Sequence, residues 1–260
     1  MDISIRKITN DNFNVNSLDN YTRRQEVRQI FVKRNNEYII EDVSFVEDWS
    51  LERKRIEAKE IIEECVVSYA AFYCKEIVGF IALKTYDANR MILHTMQVDA
   101  KYRRLGIGKR LFEAGSIYAS LNGAKELVIS ACNSVSTIAF YRSMGATINQ
   151  NPINELVEEE PYDIQLVKTL EAPSFTKSES RDISVITRIS RDAFNSDICV
   201  GGSEIGGPDG YDSIEFYRNM LNINKLFTLK VSGAIVGGAV IFKNEINLYV
   251  GRIFINPDFF

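Results

Sequence analysis

The chain has 260 residues, 45% hydrophobic and 25% charged, with a formal net charge of −4. That balance supports an ordinary packed core rather than a disordered chain. It argues against a nucleic-acid partner, which calls for a basic face. No apolar run approaches the ~20 residues of a membrane helix, and Met1-Asp2-Ile3-Ser4-Ile5-Arg6 lacks the charged-then-apolar pattern of an export signal. The expected location is therefore cytoplasmic, with no membrane contact. The cysteines, Cys65, Cys74, Cys132 and Cys199, include no C-x-x-C pair. They read as buried thiols in a reducing compartment, with no metal site.

In chain order, Ile3 to Ile8 alternates apolar and polar and predicts a strand. A helix is expected from about Leu18 to Phe31. A second is expected behind Ser50, a plausible N-cap, with Ile56, Ile61, Ile62 and Cys65 on one face. Val66 to Tyr73 and Ile77 to Leu83 flank a Lys75-Glu76 turn and read as an antiparallel hairpin. Another strand follows from about Met91 to Val98. A glycine turn then opens a helix with Leu111, Ala114, Tyr118 and Leu121 on one face, ended by Asn122-Gly123. Glu126 to Cys132 predicts a strand, Ser136 to Met144 a short helix closed by Gly145, and Asp163 to Val167 a last strand.

The polar, proline-containing stretch 171–181 reads as a linker. Beyond it, Asp182-Ile183-Ser184-Val185-Ile186 is similar to Asp2-Ile3-Ser4-Ile5, and Ile235-Val236-Gly237 to Ile77-Val78-Gly79. Val250 to Asp258 likewise parallels His94 to Tyr102. The offset of about 157 residues predicts an internal duplication whose second copy is incomplete.

The chemistry concentrates at Arg103-x-x-Gly106-x-Gly108, between a strand and a helix. Two glycines let backbone approach an anion closely, and the first-turn N–H groups with the helix dipole suit a pyrophosphate. Arg103, Arg104, Lys109 and Arg110 add local positive charge to an acidic chain. The spacing is neither the G-x-G-x-x-G dinucleotide fingerprint nor a P-loop. A plain glycine turn with solvated basic side chains is the simpler alternative.

The run from Val98 to Phe112 resembles the acyl-CoA loop of the GNAT superfamily of N-acetyltransferases, [Q/R]-x-x-G-x-[G/A]. Asn133 to Ala146, with Ala139-Phe140-Tyr141 and Gly145, resembles that family's N…A-x-FY-x-x-x-G segment, one residue longer than usual between Asn133 and Tyr141. The resemblance spans residues 2–170 as a whole domain and 182–260 as the front half of another. It implies a mixed α/β (α+β) fold with a mostly antiparallel central sheet flanked by helices.

It also implies acetyl-CoA as co-substrate, attacked directly by an amine in a ternary complex. The loop Arg103-Arg104-Leu105-Gly106-Ile107-Gly108-Lys109 would hold the pyrophosphate. Main-chain N–H groups of Met96, Gln97 and Val98 on a splayed strand would hold the pantetheine arm and the acetyl carbonyl. Tyr141 matches the family's general acid; its alternative is a core tyrosine. Asn133 either hydrogen-bonds the coenzyme or is an ordinary loop residue. His94, the sole histidine, lies beside the thioester on the face of Ile92 and Met96. It is a candidate base where family members often carry an acid, or else a core histidine.

Acceptor specificity is expected from the segment before the hairpin, where Glu41-Asp42 and Glu47-Asp48 form an acidic rim or a solvated cluster. The stretch from Glu155 to Glu160 is read the same way. The acceptor would be a small-molecule or peptide amine. Residues 182–260 lack a second loop; Gly201-Gly202 and Gly206 to Tyr211 read as a glycine-rich loop without phosphate-binding character. If Phe260 is the natural end, the half domain exposes a sheet edge that suits a homodimer. A non-catalytic acyl-CoA sensor is the rival function.

Overall fold

A computed structural model describes residues 3–35, 37–197 and 205–257. Cys199, Gly201-Gly202 and Phe260 lie outside the described residues. The chain forms two compact units, Met1–Leu170 and Glu171–Phe260.

In the first unit, Ser4–Lys7 is β1, Arg24–Arg34 β2, Glu37–Asp48 β3 and Leu51–Glu64 helix α1. Val67–Tyr73 (β4), Glu76–Thr85 (β5) and Arg90–Val98 (β6) follow, then α2 (Ile107–Leu121), β7 (Glu126–Ala131) and α3 (Val135–Ser143). Thr147–Ile148 (β8), Asn154–Glu159 (α4) and Ile164–Thr169 (β9) complete it. Seven strands make one sheet, ordered β1-β4-β5-β6-β7-β9-β8. Every pairing is antiparallel except the parallel contact of β6 with β7.

Strand alternation gives the sheet two buried faces. Phe80 and Ala82 pack with Leu18, Tyr21, Ala58 and Ile61. The alternate residues Gly79 and Ile81 lie beneath α2: a Cβ at Gly115 would stand 2.8 Å from Ile81 Cδ1, so the helix sits close on the sheet. The β4–β5 turn places Cys74 and Lys75 at φ +48° and +72°, the paired left-handed geometry of a tight hairpin.

Several expectations are corrected. The helix expected over Leu18 to Phe31 is instead turn followed by β2, which pairs with β3 in a two-stranded ribbon. Val27, Ile30, Phe31 and Val32 favour a strand, and Asn35 at φ +50° turns the chain so that Arg34 pairs with Glu37. Ser50 does cap α1, its Oγ accepting from Arg53 N at 3.2 Å. The buried face of α1 is Glu57, Ala58 and Ile61, however; Ile56 and Ile62 are exposed. On α2, Leu121 is exposed too. Cys74 is exposed rather than buried.

The second unit contains β10 (Ser174–Lys177), α5 (Ile183–Ser196), α6 (Ile214–Asn222), β11 (Leu226–Val231), β12 (Ala234–Lys243) and β13 (Leu248–Ile255). Its antiparallel sheet runs β10-β11-β12-β13. Ile183, Ile186 and Ile189 form the buried stripe of α5 against Tyr217, Leu226, Val240 and Phe254. Asp182 to Ile186 is thus the start of a helix, not the counterpart of β1. The first strand of this sheet lies within the stretch expected as linker. The offset relating Ile77–Gly79 to Ile235–Gly237 does not relate β1 to β10.

Candidate active site

The site begins with a strand that loses a neighbour. β6 pairs with β5 from Gly79↔Val98 to Thr85↔Met91. Its parallel pairing with β7 runs only from Arg90↔Glu126 to Leu93↔Ile129. From His94 to Val98 the β7-facing edge of β6 therefore lacks a strand partner, and its backbone groups need other ones. The register steps from Ala82↔Thr95 to Leu83↔Leu93, leaving His94 as the extra residue of a bulge at the point of divergence.

At the end of this open strand, Asp99 fastens the chain. Its carboxylate accepts from Lys101 N at 2.9 Å and from Thr22 N at 2.7 Å. Arg104 and Gly106 adopt left-handed φ of +67° and +78°, turning the loop into α2. A Cβ at Gly106 would meet no atom within 4 Å, so this glycine faces open space. α2 has no side-chain cap, and among the described residues the N–H groups of Ile107, Gly108 and Lys109 have no hydrogen-bond acceptor. Gly108 is needed for packing: a Cβ there would stand 3.3 Å from the Phe140 ring. The result is an open helix N-terminus suited to an anion.

The basic side chains play different parts. Arg103 is half-buried and its Nε donates to Val98 O at 3.1 Å, bracing the strand end rather than facing outward; burial lowers its pKa. Arg110 Nη1 donates to Ile3 O at 2.7 Å, and Lys109 Nζ lies 3.8 Å from Glu113 Oε1. Arg104 and Leu105 are exposed, while Ile107 is buried and offers only backbone.

Beside the open strand lies a cavity of 340 Å³. Ile92, His94 and Met96 line one wall, Tyr141 another, and Arg23, Trp49 and Glu57 a third; Glu159, Glu160 and Asp163 also face it. His94 Nε2 is buried without a hydrogen-bond partner, 3.5 Å from Glu60 Oε2. Burial lowers its pKa, with the charge of Lys84 adding to that, so the imidazole is neutral at pH 7. Tyr141 is held between Phe112 and Phe140, ring centroids 5.9 and 5.2 Å away. Burial, with the Asp163 carboxylate adding, pushes its hydroxyl well above the usual range and keeps it protonated. Burial raises Asp163 to about 7, with the charge of Glu160, a hydrogen bond to Glu160 and the charge of Glu47 adding.

Residues 25–146 match the model of the acetyltransferase (GNAT) family. These residues form a GNAT acetyltransferase domain. Its class is that of the acyl-CoA-dependent acetyltransferases. Among solved structures, one similar chain is a protein assigned as a streptothricin acetyltransferase from Bacillus anthracis str. Ames with acetyl coenzyme A bound. It is 24% identical, with 64% of this chain and 96% of that chain covered and a TM-score of 0.50. Another is the PaiA N-acetyltransferase of Thermoplasma acidophilum with coenzyme A: 19% identity, 65% and 99% covered, TM-score 0.43. No curated protein matches the chain.

In the GNAT domain, the open strand and Tyr141 line one cavity, and α2 begins next to it, a Cβ at Gly108 lying 3.3 Å from the Phe140 ring and 3.6 Å from Val98. Asn133 does not join them through its amide: Nδ2 donates to Phe31 O at 3.0 Å, and Phe31 N donates to Asn133 O at 2.8 Å, clamping the ribbon. The acidic pairs of β3 are largely engaged as well. Glu41 pairs with Arg34, Asp42 accepts from Gln29, and Glu47 Oε2 lies 2.8 Å from Arg23 Nη2. Sequence reading missed Arg23, Trp49 and Glu57 at the cavity and the tuning of Asp163. Their only sequence signal is residue type; the fold gathers them from separate segments. No helix among the described residues is long and apolar enough to cross a membrane.

The raised pKa of Asp163 gives a testable pH dependence. The folded state holds this proton more tightly than the unfolded chain, whose value is near 3.8. Its stabilisation is full below pH 3.8 and lost as pH rises through about 7. Asp163→Asn, which stays neutral, is expected to gain on the parent protein over that window, by roughly 1–2 kcal/mol at pH 8 after discounting for solvent screening. Denaturant midpoints at pH 5 and pH 8 check this; an equal difference at both would show that Asp163 titrates normally.

Proposed function

We propose that the first unit transfers an acetyl group from acetyl-CoA to a primary amine by direct attack in a ternary complex. The observation that carries this reading is the unpaired edge of β6 from His94 to Val98, ending at an uncapped helix N-terminus. The N–H groups of Ile107, Gly108 and Lys109 hold the pyrophosphate, with Arg104 adding charge. Backbone N–H groups between Met96 and Val98 hold the pantetheine arm and polarise the acetyl carbonyl. Donors fixed in a strand need little reorganisation as charge develops on that oxygen.

The amine enters from the cavity side, where the carboxylates favour a cation. His94, neutral, and Asp163, tuned to about 7, are the groups placed to accept its proton. Tyr141 stays protonated and gives its proton to the departing thiolate. One similar structure is named for acetylating streptothricin; for this chain, the carboxylates lining the cavity support an acceptor that carries positive charge. The second unit, whose strand order β10-β11-β12-β13 parallels β1-β4-β5-β6, is read as an incomplete copy without a loop.

The test is calorimetric titration with acetyl-CoA followed by a thiol-release screen over small amines. One acetyl-CoA site per chain with amine-dependent thiol release is the expected result. Binding without release under any amine would favour the sensor; no binding would overturn both readings.

A further inference from the structure

The bulge in β6 re-aims the sole histidine of the chain. The ring of His94 lines the cavity, yet its Nε2 is buried and has no hydrogen-bond partner. That nitrogen lies 3.5 Å from Oε2 of Glu60 on α1, a residue outside the cavity lining. Glu57, on the same face of α1, is taken up by Arg53 at 2.7 Å, and Glu64 by Lys84 of β5. Arg53 Nη2 stands farther off from Glu60, at 4.0 Å. The other charges around the ring are Lys84, Glu57 and Glu64, with Arg23, Glu159, Glu160 and Asp163 lining the cavity. Among the described residues, Glu60 is the carboxylate that reaches the imidazole.

A neutral imidazole carries its proton on one nitrogen and a lone pair on the other. A lone pair on Nε2 would face the negative charge of Glu60, whereas Nε2–H faces an acceptor. The carboxylate therefore draws the proton to Nε2 and leaves the lone pair on Nδ1, across the ring. We propose that Glu60 is a positioning residue that holds His94 as the Nε2–H tautomer, making Nδ1 the atom that takes the acceptor's proton. This rests on the acetyltransferase reading above and chooses His94 over Asp163 as its base. The acceptor ammonium gives a proton to Nδ1, and the imidazolium formed is balanced by Glu60. The freed amine attacks the acetyl carbonyl, and the C–S bond breaks as Tyr141 protonates sulfur. The new amide nitrogen returns a proton to Tyr141, and His94 releases its own to solvent.

With one histidine, a single pair of ring ¹⁵N resonances reports tautomer and titration without any substrate. The parent protein should show Nε2–H. Glu60→Leu should lose that preference and titrate at lower pH, because the charge favouring the imidazolium is gone. In thiol release with cadaverine, or with a faster amine from the screen above, His94→Ala should lower kcat about a hundredfold and Glu60→Leu about tenfold, with KM for acetyl-CoA unchanged. Adding Glu60→Leu to His94→Ala should cost nothing more, since Glu60 acts through the ring. Glu60→Gln, which keeps an acceptor without the charge, should titrate lower while retaining more of kcat; it carries the test if Glu60→Leu does not fold. An Nδ1–H tautomer in the parent, a titration unmoved in both Glu60 variants, additive losses in the double variant, or full activity in His94→Ala would each overturn this inference and leave the acetyltransferase reading intact. No thiol release with any amine would overturn both.

Discussion

Gly106→Val is expected to weaken acetyl-CoA binding by about a hundredfold or more, a loss near 2.7 kcal/mol. Two physical effects combine. Gly106 has φ +78°, a region that costs a residue with a Cβ about 1–2 kcal/mol. The loop would relax away from this geometry and take the uncapped N–H groups of α2 with it. The new side chain also projects where no protein atom lies within 4 Å, so it hinders the ligand rather than the core. Gly106→Ala separates the two, sharing the strain but adding little bulk, and should fall between parent and valine variant. Calorimetric titration reads both variants. Parent-like affinity in Gly106→Val would mean that this helix end is not the pyrophosphate cradle.

Tyr141→Phe is expected to lower kcat by about 10²–10³-fold while leaving acetyl-CoA affinity within about twofold. The ring sits between Phe112 and Phe140, so phenylalanine keeps the packing and only the hydroxyl is lost. A thiolate leaves poorly at neutral pH unless a proton reaches it. The upward shift of the Tyr141 hydroxyl keeps that proton available across the neutral range, so the defect should persist at every pH from 6 to 9. Single-turnover thiol release measures it. A drop smaller than a few-fold would show that the proton comes from water.

Much of this site was legible because its signals are local. The strand, glycine turn and helix from Met91 to Leu121 declare themselves by alternation, φ-permissive residues and helical spacing, and Phe140-Tyr141 with Gly145 does so by its own short pattern. Counting by two puts His94 with Ile92 and Met96, and all three line the cavity, but the bulge at His94 breaks the alternation and brings Leu93, Thr95 and Gln97 to it as well. What failed was decided at longer range. Residues 24–34 carry enough polar side chains to imitate a helix, and only pairing with β3 makes them a strand. Asp182 to Ile186 is too short to separate period two from period 3.6, and the buried series Ile183, Ile186, Ile189 appears only when the window lengthens. Asn133 fits a family block, yet its hydrogen bonds go to Phe31, some hundred residues earlier. Arg23 and Asp163 have no local pattern, because burial and neighbouring charge give them their character.

The junction between ribbon and α3 has a consequence for selectivity. Ser134 caps the helix that carries Tyr141, its Oγ accepting from Thr137 N at 3.2 Å. The same hydroxyl accepts from Gln25 Nε2 at 3.2 Å, and the neighbouring Asn133 clamps Phe31. The ribbon, which on the proposed mechanism flanks the incoming amine, is therefore riveted to the first turn of the helix that carries Tyr141. A guest broad enough to push the ribbon outward pulls on that rivet and drags the phenol out of line. On the proposed mechanism, an acceptor's girth would be felt at Tyr141 through this joint, without any residue dedicated to measuring it.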